Sequence, residues 1–241
     1  ETFAHDRFYK RVHAANVFVE EILEYTRLHG EEIQRINREA DARTVQRASS
    51  TQVIENGVQF EMIPLEETLD LLSYKYIPYI NDAGDTEFAR SSEIVTIENV
   101  LNFNRFEAIK NSSIPNAYVF PAEYSALAAK LRQHGIEVET LVEDETLRGE
   151  QFLVAAMEAQ RFPLNSHQNN VLRGEFRQAE VDFSEGDYRV SMDNRLANLI
   201  FYLLEPESDD GLGFWNFFDG SLVSQLQSGN DAVFPVFKVQ P

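Results

Sequence analysis

The sequence predicts an α+β chain in which N-terminal helices precede an antiparallel, strand-rich region holding one strand–helix–strand unit. Three observations lead there. Phe8, Val12, Ala15, Val19, Ile22 and Leu23 recur at three- and four-residue steps across residues 5–28, the period of an amphipathic helix. Residues 117–141 read as a short apolar strand, a helix and a second strand. Asn56-Gly57, set between 51–55 and 58–62, is a hairpin signal, because both residues tolerate the positive φ that a type I′ turn demands.

Taken in order, the first helix should stop at His29-Gly30, where glycine accepts the left-handed conformation. A second helix follows from Glu31 to about Arg47, acidic at its start and carrying Ile33, Ile36 and Ala40 on one side. The hairpin over 51–62 puts Val53 and Phe60 on one face with Val58 and Met62. Strands are expected around 74–80 and 93–100, with 81–85 (Asn-Asp-Ala-Gly-Asp) as a loop. Pro121 opens the next helix, since its missing N–H is not needed there, and Leu127, Ala128 and Leu131 form its buried stripe. Gly135 ends it, and 136–141 forms the second strand of the unit. Further strands are read over 151–161, 171–179, 181–183 and 188–192, the last two joined by the turn 184–187. A final helix over 194–204 is capped by Asp193 or Asn194 and ended by Pro206.

Composition narrows function. With 241 residues, 21 Lys plus Arg and 40 Asp plus Glu, the formal charge is −19. So acidic a surface repels phosphate backbones and anionic lipids, which argues against nucleic acid and membrane as partners. The chain has no cysteine, so disulfides, thiolate metal sites and a Cys nucleophile are excluded. The first residue is Glu1 rather than Met, as expected of a processed chain or a piece of a longer one.

Motifs that carry chemistry are sparse. Two His-x-x-Glu spacings occur, His29 with Glu32 and His134 with Glu137, both beside a glycine at an expected helix end. There the histidine serves as a last-turn residue favoured by the helix dipole. The stretch 205–211 gathers Glu205, Glu207, Asp209 and Asp210. It lacks the spacing of an EF-hand loop and reads as a solvated turn rather than a calcium site. Phe214, Trp215, Phe217 and Phe218 follow directly. They suit either a stacking platform for a sugar or protein ligand, or a plug anchoring the C-terminal segment in the core. Asn111-Ser112-Ser113 is a glycosylation sequon, meaningful only on a eukaryotic secretory route. No carboxylate pair is singled out for glycoside hydrolysis.

Several segments together resemble the C-terminal region of bacterial carboxypeptidase A-like zinc metallopeptidases. They include Ala117-Tyr118-Val119-Phe120-Pro121-Ala122-Glu123 and Leu131-Arg132-Gln133-His134-Gly135-Ile136-Glu137-Val138. Leu203-Leu204-Glu205-Pro206-Glu207-Ser208-Asp209-Asp210-Gly211-Leu212, Trp215-Asn216-Phe217-Phe218-Asp219 and Phe234-Pro235-Val236-Phe237 complete the pattern. The resemblance implies that residues 1–48 are the last helices of a peptidase catalytic domain and 51–241 an accessory α+β domain. It places Glu1 at the family's general-base position, taking a proton from zinc-bound water.

The zinc ligands and the substrate-carboxylate ligands of that family lie upstream of the position matched by Glu1, so the resemblance implies that zinc belongs to the parent protein. No cofactor and no metal ligand are then expected in this chain, which should be catalytically silent by itself. The two His-x-x-Glu pairs fall in segments matching other parts of the family and are not its zinc motif. The implied partners are the rest of the peptidase domain and a peptide or cell-wall substrate, and the implied location is periplasmic or extracellular. The alternative reading is a stand-alone carbohydrate- or protein-binding module built on Trp215, Phe214 and Phe217.

Overall fold

The computed structural model describes residues 6–48, 53–164, 166–229 and 232–240. The fold is α+β, with antiparallel pairing throughout the registered sheets. Two compact units emerge, Glu1–Glu55 with Ser113–Pro241, and Asn56–Ser112. Glu1 itself lies outside the described residues.

In the first unit, helix α1 runs over Phe8–Ala48. The expected stop at His29-Gly30 is instead a kink: His29 leaves helical geometry (φ −116°, ψ 16°) and the helix resumes. Tyr25 stacks on the His29 ring with centroids 4.3 Å apart, which fills the turn before the kink. The two halves differ in character. With about 100° between successive residues, Tyr25, Phe18, Ile22, Ala15, Phe8, Val19, Val12 and Leu23 span an arc of roughly 160° before the kink, with Arg11 and Thr26 also inside it. Phe8, Phe18 and Leu23 are 76%, 67% and 64% exposed. After the kink the apolar stripe narrows to Ile33, Ile36 and Ala40. There Thr44 Oγ1 accepts a hydrogen bond from Asn198 Nδ2 at 3.3 Å.

Strands β1 (Glu55–Pro64), β2 (Leu69–Ile80), β3 (Thr86–Val100) and β4 (Phe103–Ser113) supply the second unit as two ribbons, β1 with β4 and β2 with β3. The hairpin expected at Asn56-Gly57 does not form: both residues lie inside β1, and residues 51 and 52 fall outside the described ones. Glycine is required at 57 for space. A Cβ there would sit 2.6 Å from the Phe60 ring and 2.8 Å from Ala108 Cβ. The true hairpin turn is the loop 81–85. Asn81 Oδ1 accepts from the N–H of Ala83 (3.0 Å) and Asp85 (2.9 Å), and Gly84 takes φ +87°. Apart from Gly57 and Val58, the residues of these ribbons are half-buried or exposed.

The core of the first unit is a seven-stranded sheet. Strand β5 (Ala117–Phe120) is wholly buried. Pro121 precedes a single 3₁₀ turn, Ala122–Tyr124, and then α2 (Ser125–Gln133), which buries Leu127, Ala128 and Leu131 as expected. Gly135 follows at φ +78°. Of the strand expected over 136–141 only β6 (Glu139–Thr140) pairs, although Ile136, Val138 and Leu141 are buried. Strands β7 (Glu145–Ala159) and β8 (Asn170–Phe183) form one long hairpin, so the two segments expected at 171–179 and 181–183 are a single strand.

Strand β9 (Tyr188–Ser191) pairs with β5. Helix α3 (Ala197–Leu204) starts later than the expected 194, and its N-cap is Leu196 without a side-chain bond rather than Asp193 or Asn194; Asn194 Oδ1 instead accepts from Leu196 N–H at 2.8 Å in the turn before it, and the helix ends before Pro206. Helix α4 (Asp219–Gln227) and strands β10 (Ala232–Val233) and β11 (Phe237–Val239) complete the chain. Strands β10 and β11 both lie along β7, and β11 also pairs with β5. One face of the sheet packs Val119, Leu141, Phe183 and Phe237 together. The opposite face carries Tyr118, Phe120 and Phe152, all fully buried, each such side chain contributing about 1.5–3 kcal/mol on leaving water.

Candidate functional site

Two polar constellations lie in the first unit, one sealed and one at the surface. The sealed one forms where α3 meets β11. Register places Lys238 of β11 beside Tyr118 of β5, so both side chains leave the sheet on the same face. Glu205, the first residue after α3, meets them there. Lys238 Nζ lies 2.9 Å from Glu205 Oε1, and Tyr118 Oη donates to the same oxygen at 2.6 Å. The Lys238 ammonium also sits 4.2 Å from the Phe176 ring centroid, a cation–π contact. Burial, then the Glu205 charge and hydrogen bond, push the Tyr118 phenol well above its ordinary range. With Tyr118, Glu205 and Lys238 at 0–1% exposure, no substrate reaches them. Their work is to join the C-terminal strand to the end of α3.

The acidic stretch that follows is not the solvated turn expected of it. Glu205, Glu207 and Ser208 are buried, and Asp209 is half-buried. Tyr202 Oη donates to Asp209, and Trp215 Nε1 donates to Asp210 Oδ1 at 2.6 Å. Burial and the Asp209 contact raise the Tyr202 phenol. Glu205, Asp209 and Asp210 are therefore held by specific donors, which the sequence pattern of clustered acids does not reveal.

The aromatic run beyond it divides between core and surface. Phe214 and Phe218 are buried, and Phe218 packs edge-on against Phe234 at 4.6 Å. Trp215 is half-buried, with its ring 5.2 Å from His167, and Phe217 is 39% exposed. Asn216 takes φ +67°, which turns the chain between them. A polar network runs alongside. His167 Nε2 lies 2.7 Å from Asn216 Oδ1, and Asn216 Nδ2 and Asn170 Nδ2 each donate to Asp219 Oδ2 at 2.7 Å. Trp215 and Phe214 are thus brought together (ring centroids 5.9 Å apart), with Phe217 at the exposed end of the same segment.

The two His-x-x-Glu pairs occupy different settings. His134 is the C-cap of α2, with its N–H on the carbonyls of the last turn. His29 marks the α1 kink, with Nδ1 3.7 Å from Glu32 Oε2. Among the described residues no group of three His, Asp or Glu is placed to hold a metal ion. No described helix is long and apolar enough to cross a membrane.

No family model matches the chain, and neither a curated protein nor a solved structure does.

Proposed function

We propose that the chain is the C-terminal part of a zinc metallocarboxypeptidase-like protein of the periplasm or cell exterior. In this reading α1 packs on the rest of the peptidase domain, and the sheet unit is an accessory, substrate-shaping domain. Zinc belongs to the absent part, and this chain alone hydrolyses nothing. One observation carries the reading besides the sequence resemblance: the first half of α1 leaves a broad apolar face exposed, including Phe8, Phe18 and Leu23. A surface helix needs a stripe only about 100° wide, so an apolar face this broad fits a helix embedded among several neighbours. The test is to assay the purified 241-residue chain with zinc and a C-terminal peptide substrate, and to measure the intact mass of the natural product. No hydrolysis above buffer, and a product larger by a whole domain, are expected. Zinc-dependent turnover by this chain sinks the proposal.

The surface position of Trp215 and Phe217 favours a second reading, a carbohydrate- or protein-binding surface. Trp215 is the sole tryptophan, so its emission reports directly on any ligand stacking there. A shift with cell-wall oligosaccharide or peptide supports the binding surface, and an unchanged spectrum at saturating ligand refutes it.

A further inference from the structure

The network beside Trp215 fixes which nitrogen of His167 holds a hydrogen. His167 is exposed, and its turn is closed by its N–H on the Leu164 carbonyl (2.8 Å) and the Leu164 N–H on its own carbonyl (2.9 Å). The Asp219 carboxylate only accepts, so the Asn216 group 2.7 Å from its Oδ2 is the NH2, as is the Asn170 group that meets the same oxygen. The Asn216 carbonyl oxygen is thereby turned to His167. It too only accepts, so His167 Nε2, 2.7 Å away, carries the hydrogen. An uncharged imidazole protonated at Nε2 keeps Nδ1 as a bare acceptor. Among the described residues no donor reaches that Nδ1.

The indole next to it is equally fixed. Trp215 Nε1 donates to Asp210 Oδ1 at 2.6 Å, Phe214 packs edge-on at 5.9 Å, and the His167 ring lies 5.2 Å away, tilted by 35°. This surface therefore offers a ligand a half-buried aromatic ring flanked by acceptors, the His167 Nδ1 and the exposed Asp210 carboxylate. Ligand sites of this kind combine an apolar surface with a few placed polar groups that set orientation and specificity. The matching ligand brings hydroxyl donors and an apolar ring face, and it carries no negative charge against Asp210 and Asp219. A neutral sugar has all three properties.

We propose, taking Trp215 as part of a binding surface, that His167 Nδ1 accepts a hydrogen bond from a hydroxyl of a neutral saccharide lying against the indole. His167 is then the residue that selects sugar over peptide, and Asp219 acts through Asn216 to position it.

Two measurements on the whole chain test this. Long-range 1H–15N spectra of histidine-labelled protein should show His167 in the Nε2–H form, its signal assigned by loss in His167→Phe. Asp219→Asn lets the Asn216 amide turn over and should mix the two forms. Titration with N,N′-diacetylchitobiose should shift Trp215 emission saturably. His167→Phe keeps a ring beside Trp215 but removes the acceptor, and should weaken binding about tenfold. The per-O-methylated disaccharide, which lacks hydroxyl donors, should bind the unmodified chain about tenfold more weakly than the parent sugar, and His167→Phe should bind the two alike. An Nδ1–H ring, or His167→Phe binding the disaccharide as tightly as the unmodified chain, overturns the role of His167 and leaves the binding surface standing. Emission that responds to peptide and not to the disaccharide overturns the choice of sugar. Emission indifferent to both refutes the surface itself, and the role of His167 with it.

Discussion

Lys238 Nζ lies 2.9 Å from Glu205 Oε1, with both side chains 1% exposed. The pair ties the last strand to the end of α3, and Tyr118 satisfies a further lone pair of the carboxylate. Truncating one partner strands a buried charge, which costs about 3–5 kcal/mol, whereas an apolar replacement of both is near neutral. Lys238→Met should therefore lower unfolding free energy by that amount, and Lys238→Met with Glu205→Gln, which removes the charge and keeps an acceptor for Tyr118, should recover most of it. Urea titration of the three proteins checks this. Equal stability of the single and double variants would refute the coupling.

Tyr118 sets an alkaline limit. Its phenol is raised in the folded chain above the ordinary 10.0, so folding favours the protonated form. The stabilisation is fully present below the unfolded value and is lost as pH rises through the folded one. Stability should fall above about pH 10, and Tyr118→Phe should flatten that fall without abolishing it, because Tyr202 is raised as well. Below that range Tyr118→Phe should cost about 1.5–3 kcal/mol for the lost bond to a charged acceptor. Denaturant midpoints measured across the pH series decide both points.

Gly57→Ala should destabilise the β1–β4 ribbon by about 1–3 kcal/mol, since the new methyl meets Phe60 and Ala108. Amide exchange should accelerate in β1 and β4 and leave β7 and β8 at their original protection. A uniform change across both units would contradict a local steric origin.

Polar substitutions in the first half of α1 should be neutral in this chain. Phe18→Gln and Leu23→Gln alter exposed positions and should change unfolding free energy by less than about 0.5 kcal/mol each. The same changes in a longer parent protein should cost several times more if the helix is embedded there. Thermal melts of both proteins provide the comparison.

Local physics made much of the architecture legible. The period of α1, the buried stripe of α2, the Gly135 stop and the loop at 81–85 all follow from backbone rules acting within a few residues. Tertiary contacts decided the rest. Asn56-Gly57 has the chemistry of a turn, yet it lies inside β1, where the space beside Phe60 and Ala108 demands glycine. Glu205, Glu207 and Ser208 look like a solvated turn, but pairing of β11 with β5 and β7 carries Lys238 into the core opposite Glu205. A lone lysine in the apolar run 234–239 was the one available sign. Its partner stands 33 residues away in the chain, and the register of β11 between β5 and β7, not any local propensity, brings the two together.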